Sequence, residues 1–127
     1  MQRIVVLGGG ESGCGSAVLA RVKGFDVFLS DRGSIAPKYR ELLEKWDIPY
    51  EEGRHTAGKI LSADKVVKSP GIPDKALMVK AVRERGIPVI SEIEFAGAYT
   101  SARTICITGS NGKTTTTTLT YEILRQA

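Results

Sequence analysis

Histidine, cysteine and long apolar runs are nearly absent from this sequence, and each gap removes a class of function. The single histidine, His55, lies in a polar stretch and reads as a solvated loop residue rather than a catalytic base. Cys14 and Cys106 stand far apart with no CxxC or Cys/His spacing, so there is neither a zinc pattern nor a disulfide framework. Cys106, inside the apolar run from Thr104 to Ile107, reads as a buried, inert thiol. No apolar stretch approaches the roughly 18 to 20 residues that a membrane-spanning helix requires. The opening MQRIVVLG lacks the basic, apolar and cleavage regions of a secretory signal and runs straight into glycines. These gaps lead to the expectation of a cytoplasmic protein without a membrane partner.

Clustered charge is missing too. The formal net charge is +4, but the 18 Lys and Arg residues are scattered. The densest groups, Lys65 with Lys68 and Arg83 with Arg85, are small and mixed with acids. Nucleic-acid binding would call for a basic stripe interleaved with aromatics, so nucleic acid is not an expected partner. A mild positive balance suits the handling of anionic phosphates.

What is present is an alternation of short β-branched runs and longer helical patterns, the mark of a parallel sheet with crossover helices. RIVVL (Arg3 to Leu7) is a strand of the type buried on both faces. A helix is expected from about Ser12 to Lys23, closed by Gly24, and a second strand over Asp26 to Ser30. Pro37 opens a helix to about Trp46, and short strands follow at Tyr50 to Glu52 and Lys65 to Lys68, with a weak helix near Thr56 to Leu61 between them. A helix over Lys75 to Arg85 and a fifth strand at Ile87 to Ile90 complete the alternation. Ser91 then reads as an N-cap, with Glu94 forming a capping box for a helix to about Tyr99. The fold class is therefore α/β, a Rossmann-like, doubly wound, five-stranded parallel sheet over residues 1–92. Residues 93–127 read as a linker followed by a strand (Arg103 to Thr108), a second glycine loop and one helix. About 25 residues cannot build a second core, so this part reads as the truncated start of a second domain.

Three motifs carry chemistry. Gly8-Gly9-Gly10-Glu11-Ser12-Gly13 fits G-x-G-x-x-G between a strand and a helix, where glycines permit close backbone approach and the helix N-terminus offers N–H groups to a phosphate. Asp31, at the end of the second strand, stands where dinucleotide enzymes place a carboxylate on a ribose hydroxyl. The nucleotide itself is left open, with NAD(P) one candidate. The second motif, Thr108-Gly109-Ser110-Asn111-Gly112-Lys113-Thr114-Thr115, resembles a P-loop, although Ile107 replaces its first glycine. Its backbone would cradle ATP phosphates, Lys113 would reach the β- and γ-phosphates, and the Thr114 hydroxyl would hold Mg²⁺. The third pairs the rigid Ser69-Pro70-Gly71-Ile72 turn with Ser91-Glu92-Ile93-Glu94, each after a strand, at the edge where α/β sheets bind ligands. A dehydrogenase has no use for the second loop, and a plain ATPase has no use for the first.

Taken together, GGGESGCG, SPGI, SEIEFA and TGSNGKTTT resemble the Mur ligase family, within it the member that adds D-glutamate, and the resemblance runs the length of the chain. That family's P-loop also lacks the first glycine, so Ile107 fits. The resemblance implies a first domain binding the UDP end of UDP-N-acetylmuramoyl-L-alanine, with Gly10, Glu11, Ser12, Gly13, Asp31, Arg32 and Gly71 around uridine, ribose or diphosphate. Arg32 stands where many relatives have a hydroxyl residue followed by a basic one, so it is expected to take the basic role. The resemblance further implies ATP on Gly109 to Thr115, Lys113 as the catalytic residue, Mg²⁺ on Thr114, and an acyl phosphate attacked by D-glutamate in peptidoglycan precursor synthesis. The longer protein is expected to be a monomer, and this chain alone to be inactive as a ligase. Two other readings remain, an NAD(P)-dependent oxidoreductase domain and a nucleotide-sensing module.

Overall fold

The computed structural model describes residues 2–99. The expected sixth strand, the ATP loop from Gly109 to Thr115, the final helix and Cys106 lie outside the described residues. Within them, five parallel strands alternate with five helices. The strands are β1 (Arg3–Leu7), β2 (Asp26–Asp31), β3 (Tyr50–Glu52), β4 (Lys65–Lys68) and β5 (Val89–Ser91). The helices are α1 (Glu11–Val22), α2 (Pro37–Lys45), α3 (Ala57–Ile60), α4 (Leu77–Glu84) and α5 (Glu92–Gly97). Strand order is β3-β2-β1-β4-β5, so the chain winds outward from β1 to β3, then restarts on the other side of β1. That reversal leaves a crevice between the C-terminal ends of β1 and β4, the place where open α/β sheets bind ligands.

The period of two in a strand explains both layers. Ile4 and Val6 of β1, Val27 and Leu29 of β2 and Val67 of β4 face one way. They pack against Cys14, Ala17 and Ala20 of α1, Leu43 of α2 and Phe95 of α5. Val5, Leu7, Phe28 and Val66 face the other way, onto Ile60 of α3 and Val79 and Val82 of α4. β1 therefore has no polar face, which is why its sequence is an uninterrupted apolar run. Small residues along α1 let that helix lie close to the sheet, and α5 returns to the same layer, where Phe95 meets Phe25 at 6.4 Å between ring centroids.

Boundaries moved where local chemistry decided them. β5 starts at Val89 rather than Ile87, and Pro88, which has no N–H to give a ladder, contributes its carbonyl to Val66 N–H instead. α4 begins at Leu77, because Pro73 to Ala76 close a turn first through Ala76 N–H donating to the Pro73 carbonyl at 3.0 Å. α5 ends at Gly97, and its last turn tightens, with Ala98 donating to Phe95 and Tyr99 to Ala96. Its cap matches expectation: Ser91 Oγ accepts from Glu94 N–H at 3.1 Å. The reciprocal half differs, since the Ser91 hydroxyl lies 3.4 Å from Glu94 Oε1.

The tightest point in the fold is the crossing of α1 over the end of β1. A Cβ placed on Gly13 would overlap the Gly8 carbonyl oxygen, a backbone atom with no freedom to retreat. Gly13→Ala is therefore expected to lower unfolding free energy by about 3 kcal/mol, the upper range of overpacking costs. A urea titration followed by circular dichroism checks this, and a loss under about 1 kcal/mol would mean that α1 shifts outward at little cost.

Candidate functional site

Two successive residues of β2 shape the glycine loop. Gly8 N–H donates to the Ser30 carbonyl at 2.9 Å, and Gly9 N–H donates to Asp31 Oδ2 at 2.7 Å. Gly8 adopts φ +108°, and a Cβ there would come within 2.8 Å of Ser69 Cβ, so only glycine lets the loop pass the turn after β4. The loop then delivers α1 with Gly10 as its N-cap and no side chain capping it. The first-turn N–H groups of a helix lack internal partners, and here they face the crevice end of the sheet with the dipole's positive end. Helix starts of this kind are where proteins receive anions.

Beside it lies a cleft of about 640 Å³, walled by Gly8 to Gly10 on one side, by Asp31, Arg32 and His55 on the second, and by Gly71 and Met78 on the third. Four of the expected residues, Gly10, Asp31, Arg32 and Gly71, are brought together on it. Glu11, Ser12 and Gly13 are not on its wall. Glu11 is exposed in the first turn of α1, Ser12 lines a separate depression beyond the loop, and Gly13 is buried against Gly8. Asp31, expected on a ribose hydroxyl, is bonded within the protein at both oxygens, since Oδ1 also accepts from Gly33 N–H at 2.8 Å. The carboxylate thus fixes both the glycine loop and the turn after β2, while each oxygen keeps a further lone pair for a ligand. Arg32 is exposed at the rim and supplies positive charge there.

The turn after β4 is held from beneath by a residue that the sequence reading passed over. Lys68 Nζ donates to the carbonyls of Ile72 at 2.7 Å and Ser69 at 3.4 Å, and pairs with Asp74 at 3.7 Å. Its strand-end position gave no local signal, because the carbonyls it satisfies belong to the turn that follows.

His55 overturns the expectation of a solvated loop residue. It is half-buried on the cleft wall, with Nδ1 2.7 Å from Ser30 Oγ. Ser30 is fully buried, and its hydroxyl lies 2.8 Å from Glu51 Oε1. Glu51 also accepts from the Thr56 N–H and hydroxyl, each at 2.6 Å. Burial raises the Glu51 carboxyl, but the bonds from Thr56 and Ser30 and the charge of Lys59 outweigh it, and the group rests below its ordinary value. Glu51 is therefore ionised and accepts the Ser30 proton, which obliges Ser30 Oγ to accept from His55 Nδ1–H. Nε2 is left as the lone-pair nitrogen. Burial lowers the His55 pKa, against the pull of Glu51 and Asp31 and with the push of Arg32. The sequence carried this network only as a serine, a glutamate and a histidine on three separate segments, and β2–β3 pairing is what joins them.

Cys14 is buried under the loop, its thiol 3.4 Å from the Gly9 carbonyl, and burial, with the charge of Asp31, pushes its pKa up to about 11. It stays a thiol and serves as packing. Among the described residues no cluster of three or more His, Cys, Asp or Glu side chains is placed to hold a metal ion, and no helix is long and apolar enough to cross a membrane.

A five-stranded parallel sheet with a glycine loop at its reversal point defines the fold class: a Rossmann-like α/β domain. Residues 2–91 match the Mur ligase MurD-like N-terminal domain, and the chain belongs to that family. The UDP-N-acetylmuramoylalanine–D-glutamate ligases of Bacteroides fragilis and Bacteroides thetaiotaomicron are 65% and 60% identical to it over 127 residues. That is all of this chain and 29% of each relative, so the chain spans less than a third of their length. Among solved structures, the UDP-N-acetylmuramate–alanine ligase of Thermotoga maritima superposes with a TM-score of 0.70 at 24% identity, covering 98% of this chain and 29% of that one. At that identity the likeness speaks for the fold.

The His55 network sets a pH dependence. The folded chain holds His55 below its ordinary 6.5, so the unfolded chain takes up the proton first as pH falls. The stability linked to His55 is complete above about 6.5 and is lost as pH falls through the folded value. Urea midpoints of the wild type should decline below that pH, whereas His55→Gln should stay level until the carboxylates titrate. Parallel curves for the two proteins would contradict the assignment.

Proposed function

We propose that this chain is the substrate-nucleotide end of an ATP-dependent ligase that joins D-glutamate to UDP-N-acetylmuramoyl-L-alanine in peptidoglycan precursor synthesis. The observation that carries the reading is the anion cradle opening on a cleft with Asp31 and Arg32 at its wall, in a chain of this family. The diphosphate would sit at the first turn of α1, near Gly10, Glu11 and Ser12, with Arg32 neutralising charge at the rim. Asp31 and Gly71 would border the nucleoside, and Gly13 would serve by letting α1 approach. Residues 1–92 would form this unit, and 93–127 would begin the ATP-binding part. There Gly109, Ser110, Asn111, Gly112 and Thr115 would cradle ATP, with Lys113 on the transferring phosphoryl group and Thr114 on Mg²⁺. ATP supplies the phosphoryl group that activates the substrate carboxylate. The residues from 2 to 99 offer no group placed for that step, so we expect this chain alone to bind and not to ligate. The longer protein would work in the cytoplasm as a monomer.

Calorimetric titration of the chain with UDP and with NADH tests the reading. UDP should bind and NADH should not. Arg32→Ala, an exposed change that leaves the core alone, should weaken UDP about tenfold, with a smaller effect at high salt. Binding of NADH in place of UDP would overturn the reading in favour of an oxidoreductase domain.

A further inference from the structure

Lys68 closes β4, and its side chain, only 14% exposed, turns under the segment that follows instead of out to solvent. Its ammonium donates to the Ile72 carbonyl at 2.7 Å and the Ser69 carbonyl at 3.4 Å, and faces Asp74 Oδ1 at 3.7 Å. Those carbonyls are the first and last of a four-residue turn, which Ile72 N–H closes on the Ser69 carbonyl at 3.1 Å. One cation thus ties both ends of the turn to the strand that leads into it. Within the turn Pro70 fixes its own φ, but Gly71 is the least restricted of residues, so the backbone alone does not determine the path.

The turn matters beyond its own length. Ser69, Gly71 and Ile72 line the cleft, and Ser69 is the residue that Gly8 passes so closely that a Cβ would not fit. A shift of the turn therefore changes the cleft and the seat of the glycine loop together. Asp74 contributes little to holding it, being 73% exposed and shared with Arg83 at 3.3 Å, and exposed ion pairs are weak. The strong bonds are those from a sheltered, charged donor to the two carbonyls. Resting on the UDP reading above, we propose that Lys68 is a positioning residue for nucleotide binding. It holds the turn from Ser69 to Ile72 in its competent arrangement before the ligand arrives, acting through the backbone it clamps and not through its charge on the diphosphate. Without the clamp the turn samples other arrangements, and affinity falls with the fraction that stays competent.

The test titrates the chain with UDP and with uridine, which lacks the diphosphate, followed by NMR. Lys68→Met keeps the stem without a donor and should weaken both ligands by the same factor, about tenfold, as for a competent fraction of about a tenth. Arg32→Ala provides the contrast, since losing a rim charge should weaken UDP and leave uridine within about twofold. Amide hydrogen exchange separates a loosened turn from lost stability: in Lys68→Met the Ile72 amide should exchange about tenfold faster while the amides of β1 keep their protection. Lys68→Gln, shorter and uncharged, gives the same comparison if the methionine variant does not fold. Loss of UDP binding with uridine retained would make Lys68 a charge on the diphosphate and overturn the positioning role. Unchanged affinities in a folded variant, or an equal loss in Asp74→Asn, would overturn it too, with the UDP reading left standing. Failure of UDP to bind wild type defeats the UDP reading, and the positioning role falls with it.

Discussion

The grip of β2 on the glycine loop is the constraint from which the site follows. Ser30 takes the Gly8 N–H through its carbonyl and Asp31 takes the Gly9 N–H through its carboxylate. Both donors are thereby spent inside the protein, which confines ligand binding to the N–H groups further along, in the first turn of α1. The same strand end carries the Ser30 hydroxyl that orients His55. One dipeptide at the end of β2 thus sets the loop's path, the height of the helix terminus and the histidine tautomer. Charge-assisted bonds of this kind are about twice as strong as neutral ones, so the loop is held before any ligand arrives and less ordering is left for binding to cost.

α1 approaches β1 closely enough for this only because position 13 has no side chain. The third glycine of the fingerprint therefore belongs to packing, and of the residues beside it Glu11 is exposed and Ser12 lines the separate depression rather than the cleft. A motif fixes spacing along the chain. Which way each residue faces depends on the phase of the helix that the motif opens, and that phase is set here by the Gly13 contact with Gly8.

Much of the architecture was legible beforehand for physical reasons. RIVVL could only be a strand buried on both sides, and the placing of Tyr50 to Glu52 and Lys65 to Lys68 as strands agrees with the structure to the residue. Where reading and structure part, the cause is a competing local bond: the proline before Val89, the turn before Leu77, the tightened last turn of α5. The candidate site was less legible, because its polar groups act across segments. Lys68 satisfies carbonyls of a turn that follows its strand, and Glu51 orders a histidine through a serine 21 residues earlier in the chain. His55 was misread for the same reason, since a polar neighbourhood in sequence says nothing about which strand ends will enclose it.

The two depressions on either side of the glycine loop differ in their chemistry. The sheet's reversal at β1 places one on the β2 side of the loop and the other on the β5 side. The β2 side carries the charged and titratable groups, Asp31, Arg32 and His55, suited to a polar heterocycle and ribose. The β5 side is apolar, with one buried acceptor at Glu92. The asymmetry follows from the sheet, because the β2 side gathers polar strand ends and the loops after them, whereas the β5 side is walled by Leu19 of α1 and by Ile93 and Ala96 of α5.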